Sequence, residues 1–194
     1  MHDDLRQLIE EATRMEIDVA KVYLSFHRRF HEDADFWWRI AIEEENHAAL
    51  LLSGEQYFLD VGMFPSELVN ISLATIRNLN MELEYIIKHE EEYPLSRAAA
   101  FNLAIKLEES AGEVHFQHAM HETEHPSEAI KLFQSLNEAD VDHAARIRNY
   151  MRQNGIGETQ VCCNLACMCE AVDGQNNRPC DCTIRFTTNS VSHH

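Results

Sequence analysis

Basic residues are scarce: 16 lysines and arginines stand against 33 aspartates and glutamates, for a formal charge of -17 at pH 7 with histidine neutral. Phosphate backbones and anionic lipid surfaces are held by clustered cations, so nucleic acid and membrane are excluded as expected partners. No run of about 18 apolar residues occurs, as a membrane-spanning helix would need. The opening MHDDLRQLIEEATRMEIDVAK has no basic segment leading into an apolar one, and a cytoplasmic protein is expected. Cysteine is missing from everything that looks like a core: Cys162, Cys163, Cys167, Cys169, Cys180 and Cys182 all fall in the last fifth of the chain. With 194 residues and 45% hydrophobic content, the chain can bury one core with a small appendage, not a second full domain. Histidine, by contrast, is abundant at 12 residues and is not confined to one tract.

Placed on a wheel of about 100° per residue, four long segments show one apolar arc each. Residues 3–30 align Leu5, Leu8, Ile9, Ala12, Val19, Tyr23, Phe26 and Phe30, with Glu10, Glu11, Arg14, Asp18, Lys21 and Arg28 outside. Residues 34–59 set Phe36, Trp37, Ile40, Leu51 and Phe58 against Arg39, Asn46 and Ser53. A third helix is predicted over 95–123, after Pro94 with Ser96 as its cap, and a fourth over 127–152, from Pro126-Ser127 to a stop at Asn154-Gly155. Between the second and third, PSELVNISLATIRNLNMELEYIIKHEEEY has a helical pattern and is expected to be a crossover element outside the core. Beyond Gly155 the periodicity stops. The organisation expected is a helical unit over 1–155 and a Cys-rich tail over 156–194.

Each of the four arcs contains one carboxylate. Glu16 lies between Ala12, Val19, Ala20 and Tyr23; Glu44 is central on the second arc, with His47 about 60° away. In LAIKLEESAGEVHF, Glu108 falls with Phe101 and Ala104, whereas Glu109 falls with Asn102 and Lys106 on the outer side. In FQSLNEADVDHAARI, Asp140 falls with Phe133, Leu136, Ala144 and Ile147, and His143 follows it by the same three residues that separate His47 from Glu44. Four buried carboxylates would each cost several kcal/mol if uncompensated. Cations would offset that cost, and four carboxylates with two imidazoles suit iron or manganese. A Glu from each of two helices, plus an acid-x-x-His from each of two others, is the ligand pattern of two-metal carboxylate bundles. The metal candidates are therefore Glu16, Glu44, His47, Glu108, Asp140 and His143.

On Glu16, Glu44-Glu45-Asn46-His47, Glu108 and Asp140-Val141-Asp142-His143, residues 3–152 resemble the ferritin-like superfamily, and within it the rubrerythrin- and bacterioferritin-type di-iron carboxylate proteins. The resemblance implies an all-α ferritin-like four-helix bundle with an extra crossover helix, here followed by a Cys-rich C-terminal extension. It implies two iron ions bridged by Glu44 and Asp140, with Glu16 and His47 completing one and Glu108 and His143 the other. The implied activity is a non-haem di-iron oxidoreductase that reacts reduced iron with dioxygen or hydrogen peroxide, drawing on an electron donor, in a homo-oligomer. Two positions depart from the family pattern: Asp140 stands where Glu is usual, and Ala111 where rubrerythrins carry a further Glu. Two rival functions are iron storage, with the metal as cargo, and a redox-sensing metalloprotein that uses its tail.

Tyr23, on the same arc as Glu16, is either a redox-active phenol at the metal centre or a core tyrosine with its hydroxyl satisfied. His115, His118, His121 and His125 line one side of the third segment, as a solvated face or a metal-entry path. The tail reads CCNLACMCEAVDGQNNRPCDC, and its Cys-x-Cys pairs suit zinc, iron or an iron–sulfur centre. Disulfides or an unstructured tail are the alternatives. Its spacing is not the paired Cys-x-x-Cys of a rubredoxin knuckle.

Overall fold

The first helix, α1, spans His2–Arg29; Asp3 and Asp4 occupy its first turn and His27, Arg28 and Arg29 its last, which complements the helix dipole at both ends. It belongs to a computed structural model that describes residues 2–110, 130, 131, 133, 134 and 143–158. Every regular element among the described residues is helical. Phe30 and a 3-10 turn at His31–Asp33 turn the chain into α2, Ala34–Gly54, which runs on into a π-helical turn at Glu55–Leu59. Arg6, near the start of α1, reaches Glu55, beyond the end of α2, at 2.5 Å. The two helices are thus antiparallel neighbours.

The next helix, α3 (Leu73–Glu92), starts at Ser72, whose hydroxyl accepts the Thr75 N–H at 3.1 Å. Arg77 and Asn80 bond Glu11, and Glu84 pairs with Arg14, so α3 runs parallel to α1. The crossover expectation fails in one respect, because Ile76, Leu83 and Ile86 are buried and join the core. Asp18 corrects the wheel as well. Placed outside, it is in fact 5% exposed and bonds Lys21 Nζ at 2.7 Å, with Arg14 Nε at 3.6 Å. A wheel assumes a single buried stripe, whereas α1 packs against both α2 and α3.

Ser96 caps α4, Arg97–Glu108, by accepting the Ala99 N–H. The helix predicted over 95–123 is broken here: Glu109 has φ -88° and ψ 5°, and the Ser110 N–H turns back to Leu107 O at 2.9 Å; residues 111–123 of that prediction lie outside the described residues. The sequence at this point is Ser110-Ala111-Gly112, in which Ser and Gly are weak helix formers. Asn102, placed outside with Lys106 and Glu109, is buried instead and donates to Ala98 O and Gly157 O at 2.7 and 3.1 Å. Of the fourth predicted segment, Ile130, Lys131, Phe133 and Gln134 are helical, and α5 covers His143–Gln153. It ends at the predicted place. Gly155 takes φ +67°, and the Ile156 N–H bonds Met151 O at 2.9 Å, closing the helix with a left-handed glycine.

Trp37, Tyr23, Phe26, Phe101, Ile40 and Ile147 are fully buried at the centre of these helices. Gly54 shows how close the packing is, since a Cβ there would lie 2.9 Å from Phe64 and 3.0 Å from Phe133. Alanine gains about 1 kcal/mol of helix propensity over glycine, but overpacking costs about 1–3 kcal/mol. Gly54→Ala is therefore expected to lower stability in denaturant melts. An unchanged midpoint would mean that both rings move aside freely. No described helix is long and apolar enough to cross a membrane.

Candidate metal centre

Glu44 and His47 share a face of α2 because three residues make nearly one helical turn, and both are fully buried. Glu16 arrives from α1 at 1% exposure, Glu108 from the last turn of α4 at 7%, and His143 from the first residue of α5 at 1%. They meet in two groups, Glu16 with Glu44 and His47, and Glu44 with Glu108 and His143, the ligand atoms of each lying within 4.8 Å of one another. Either group could hold a metal ion. Asp140 lies outside the described residues, as do His115, His118, His121, His125 and the six cysteines Cys162, Cys163, Cys167, Cys169, Cys180 and Cys182.

Glu44 is the member common to both groups, and its two oxygens face different ways. Oε2 lies 3.1 Å from His47 Nδ1, and Oε1 lies 2.8 Å from His143 Nδ1. His47 Nδ1 is 3.5 Å from Glu16 Oε2, and His143 Nδ1 is 3.3 Å from Glu108 Oε2. Ligands bound to one ion at about 2.1 Å sit roughly 3.0–3.4 Å apart at right-angled to tetrahedral geometry; the 3.1 and 3.3 Å separations lie within that range and the 2.8 and 3.5 Å ones just outside it. Although His143 Nδ1 is near, no hydrogen-bond donor among the described residues is aligned on Glu44 Oε1. The donor set is also right for hard-to-intermediate divalent ions: carboxylate oxygen and imidazole nitrogen, with no thiolate. The residues present therefore fit two metals that share Glu44.

Outside this cluster, His143 Nε2 lies 2.9 Å from Glu43 Oε2, and Arg146 Nη1 holds the same oxygen at 2.5 Å. A carboxylate on the far ring nitrogen fixes the imidazole's tautomer and orientation. Sequence reasoning missed Glu43, whose partner lies about a hundred residues away on another helix, so no local spacing signals it. Tyr23, buried, donates its hydroxyl hydrogen to Glu108 Oε1. The structure thus brings Tyr23 to the cluster, with its hydroxyl on Glu108. His47 and His143 stack at 5.6 Å between centroids and 20° between planes.

Compared with known proteins, the chain matches no family model, no curated protein and no solved structure. The site therefore rests on its own chemistry.

Burial pushes the Glu44 carboxyl up, but the His143 charge first, and then His47 beside it, outweigh it and bring it down to about 2. Burial and then the nearby Glu44 charge push Glu108 up. These shifts have opposite consequences for stability. In the metal-free protein, Glu44 contributes stability that is present above its unfolded value and lost as pH falls toward about 2. Glu108 contributes stability that is present below its unfolded value and lost as pH rises through its raised folded one. Metal binding needs the Glu108 carboxylate ionised, so the raised value should make binding release more proton than an unshifted carboxyl would. Calorimetric metal titrations in buffers of different ionisation enthalpy are expected to show proton release that shrinks in Glu108→Gln. Proton release equal in the two chains would contradict this.

Proposed function

We propose that the protein is a non-haem di-iron oxidoreductase built as a ferritin-like four-helix bundle of the rubrerythrin or bacterioferritin type, in which reduced iron reacts with dioxygen or hydrogen peroxide. The observation that carries the proposal is Glu44, which turns one oxygen to each of two buried carboxylate–imidazole groups. A pair of iron ions, or manganese in their place, would supply one-electron steps at two adjacent centres. Glu16 and His47 would hold one ion, Glu108 and His143 the other, and Glu44 would bridge them, with Asp140 proposed as a second bridge.

The chain's own groups supply the rest. Glu43 orients the His143 ring, and Tyr23 hydrogen-bonds Glu108 on the side away from His143. Trp37, Ile40 and Phe101, all fully buried, keep bulk water from the cluster, which strengthens electrostatic interactions inside it. The Cys-rich tail is proposed as a separate metal or redox element, and the bundle ligands are complete without it.

Peroxide oxidation of anaerobically loaded ferrous protein tests this function. Wild type and Glu109→Gln should oxidise iron alike, because Glu109 is exposed and, among the described residues, pairs with Arg148 on the outer side. Glu108→Gln should be slower by at least about 10–100-fold, the loss usual when only a group behind a ligand is altered, since here the ligand itself is changed. If iron binds but is oxidised no faster than free ferrous ion, the metal is cargo and the storage reading replaces this one.

A further inference from the structure

Between α2 and α5 lies an open cleft of about 580 Å³, and the charges on its walls form two poles. The two helices run antiparallel here, since Arg146 bonds Glu43 and Tyr150 stacks on Phe36 at 4.1 Å. Arg39 and Arg146 therefore line the end nearer Glu43, whereas Asp35 and Glu32 line the end toward the α1–α2 turn. Half-buried Phe36 and Tyr150 form an apolar floor between them. Asp35 and Arg39 are both exposed, and among the described residues neither has a partner. An acid four residues before a base on one helix face is the favourable order for an ion pair, so the failure of these two to pair leaves each charge open to the cleft. Glu32 is also available, being 63% exposed and only 3.6 Å from one rival, Arg97 Nε. The Arg146–Glu43 bond engages Nη1, and the guanidinium has further N–H donors beside it.

We infer that the cleft binds a small linear ω-amino carboxylate, with its carboxylate on Arg39 and Arg146, its ammonium on Asp35 and Glu32, and its methylene stem over Phe36 and Tyr150. A simple anion would meet the field of a chain carrying -17 and the two carboxylates of the far pole. A simple cation would meet two guanidiniums. A molecule with one charge at each end and none overall satisfies both poles and is not repelled by the field. The length follows from the helix: Asp35 and Arg39 are separated by about 6 Å along the axis at 1.5 Å per residue, which a stem of about four carbons spans. Such stems lie along apolar surface while their charged heads stay in water, and the two half-buried rings supply that surface. Guanidinium and carboxylate form the stronger, two-pronged contact of the pair. None of the four charged groups is a metal candidate, so the site is independent of the metal centre.

Equilibrium dialysis of the full-length protein against radiolabelled δ-aminovalerate tests the site. Wild type should show saturable binding, and valerate or pentylamine, each lacking one charged end, should compete at least about fivefold more weakly than the unlabelled ligand. Arg39→Gln and Asp35→Asn alter exposed side chains without partners among the described residues, so folding is not at issue. Each should weaken δ-aminovalerate by at least about fivefold, although the two substitutions shift the net charge in opposite directions. An effect of bulk charge alone would move the two affinities oppositely. Binding that fails to saturate at millimolar ligand, affinity unchanged in both variants, opposite changes in the two, or pentylamine competing as well as δ-aminovalerate overturns the proposal.

Discussion

Glu44→Gln is expected to lose both metals, whereas Glu16→Gln should lose chiefly one. Glu44 is the sole residue common to the two groups, with an oxygen toward each. A glutamine retains the shape but has a single, neutral carbonyl oxygen, so it cannot bridge two cations. The metal-free protein should also suffer. Both imidazoles lie against the Glu44 carboxylate in a site with no exposure, and removing one member of a buried charged pair costs about 3–5 kcal/mol. Metal content by mass spectrometry, beside urea melts of the metal-free chains, separates the two effects. If Glu44→Gln keeps two tightly held metals, Glu44 is no bridge.

The second large effect is expected far from the metal ligands. Asp33 is 1% exposed and takes a two-pronged bond from Arg97, Nε to Oδ2 at 2.7 Å and Nη2 to Oδ1 at 2.6 Å. Tyr150 adds a third bond to Oδ1. One carboxylate thus ties the α1–α2 turn to the start of α4 and to α5. Asp33→Ala would leave the guanidinium and the phenol without their acceptor. A fully buried pair broken in this way costs about 3–5 kcal/mol, but the Arg97 side chain is 31% exposed and water recovers part of that. A loss of about 2–4 kcal/mol is expected in urea melts at unchanged slope, with Asp33→Asn intermediate. A loss below about 1 kcal/mol would show that the three elements are held by apolar packing alone.

Most of the helices were legible because their ends carry local chemistry: Ser96 caps α4, and Asn154-Gly155 stops α5. The inward positions of Glu16, Glu44, His47 and Glu108 were legible for a related reason, since each interrupts an apolar stripe that the wheel detects. Asp18 and Asn102 were misplaced because each helix meets more than one neighbour, and a residue opposite the first buried stripe can face the second. Asp33 and Glu43 could not be found at all. Their partners, Arg97 with Tyr150 and His143 with Arg146, come from helices distant in sequence, so only the tertiary arrangement brings them together. The break at Glu109–Ser110 was missed because the apolar spacing continues through it.

The most direct test of the central claim is the iron content of the chain with all six tail cysteines replaced by serine, reconstituted anaerobically with ferrous ion and measured beside the same chain carrying Glu44→Gln. Two metals sharing Glu44 predict about two irons per chain in the first and fewer than about half an iron in the second. Loss of all iron with the cysteines, or equal iron in the two chains, would contradict a metal centre at Glu16, Glu44, His47, Glu108 and His143.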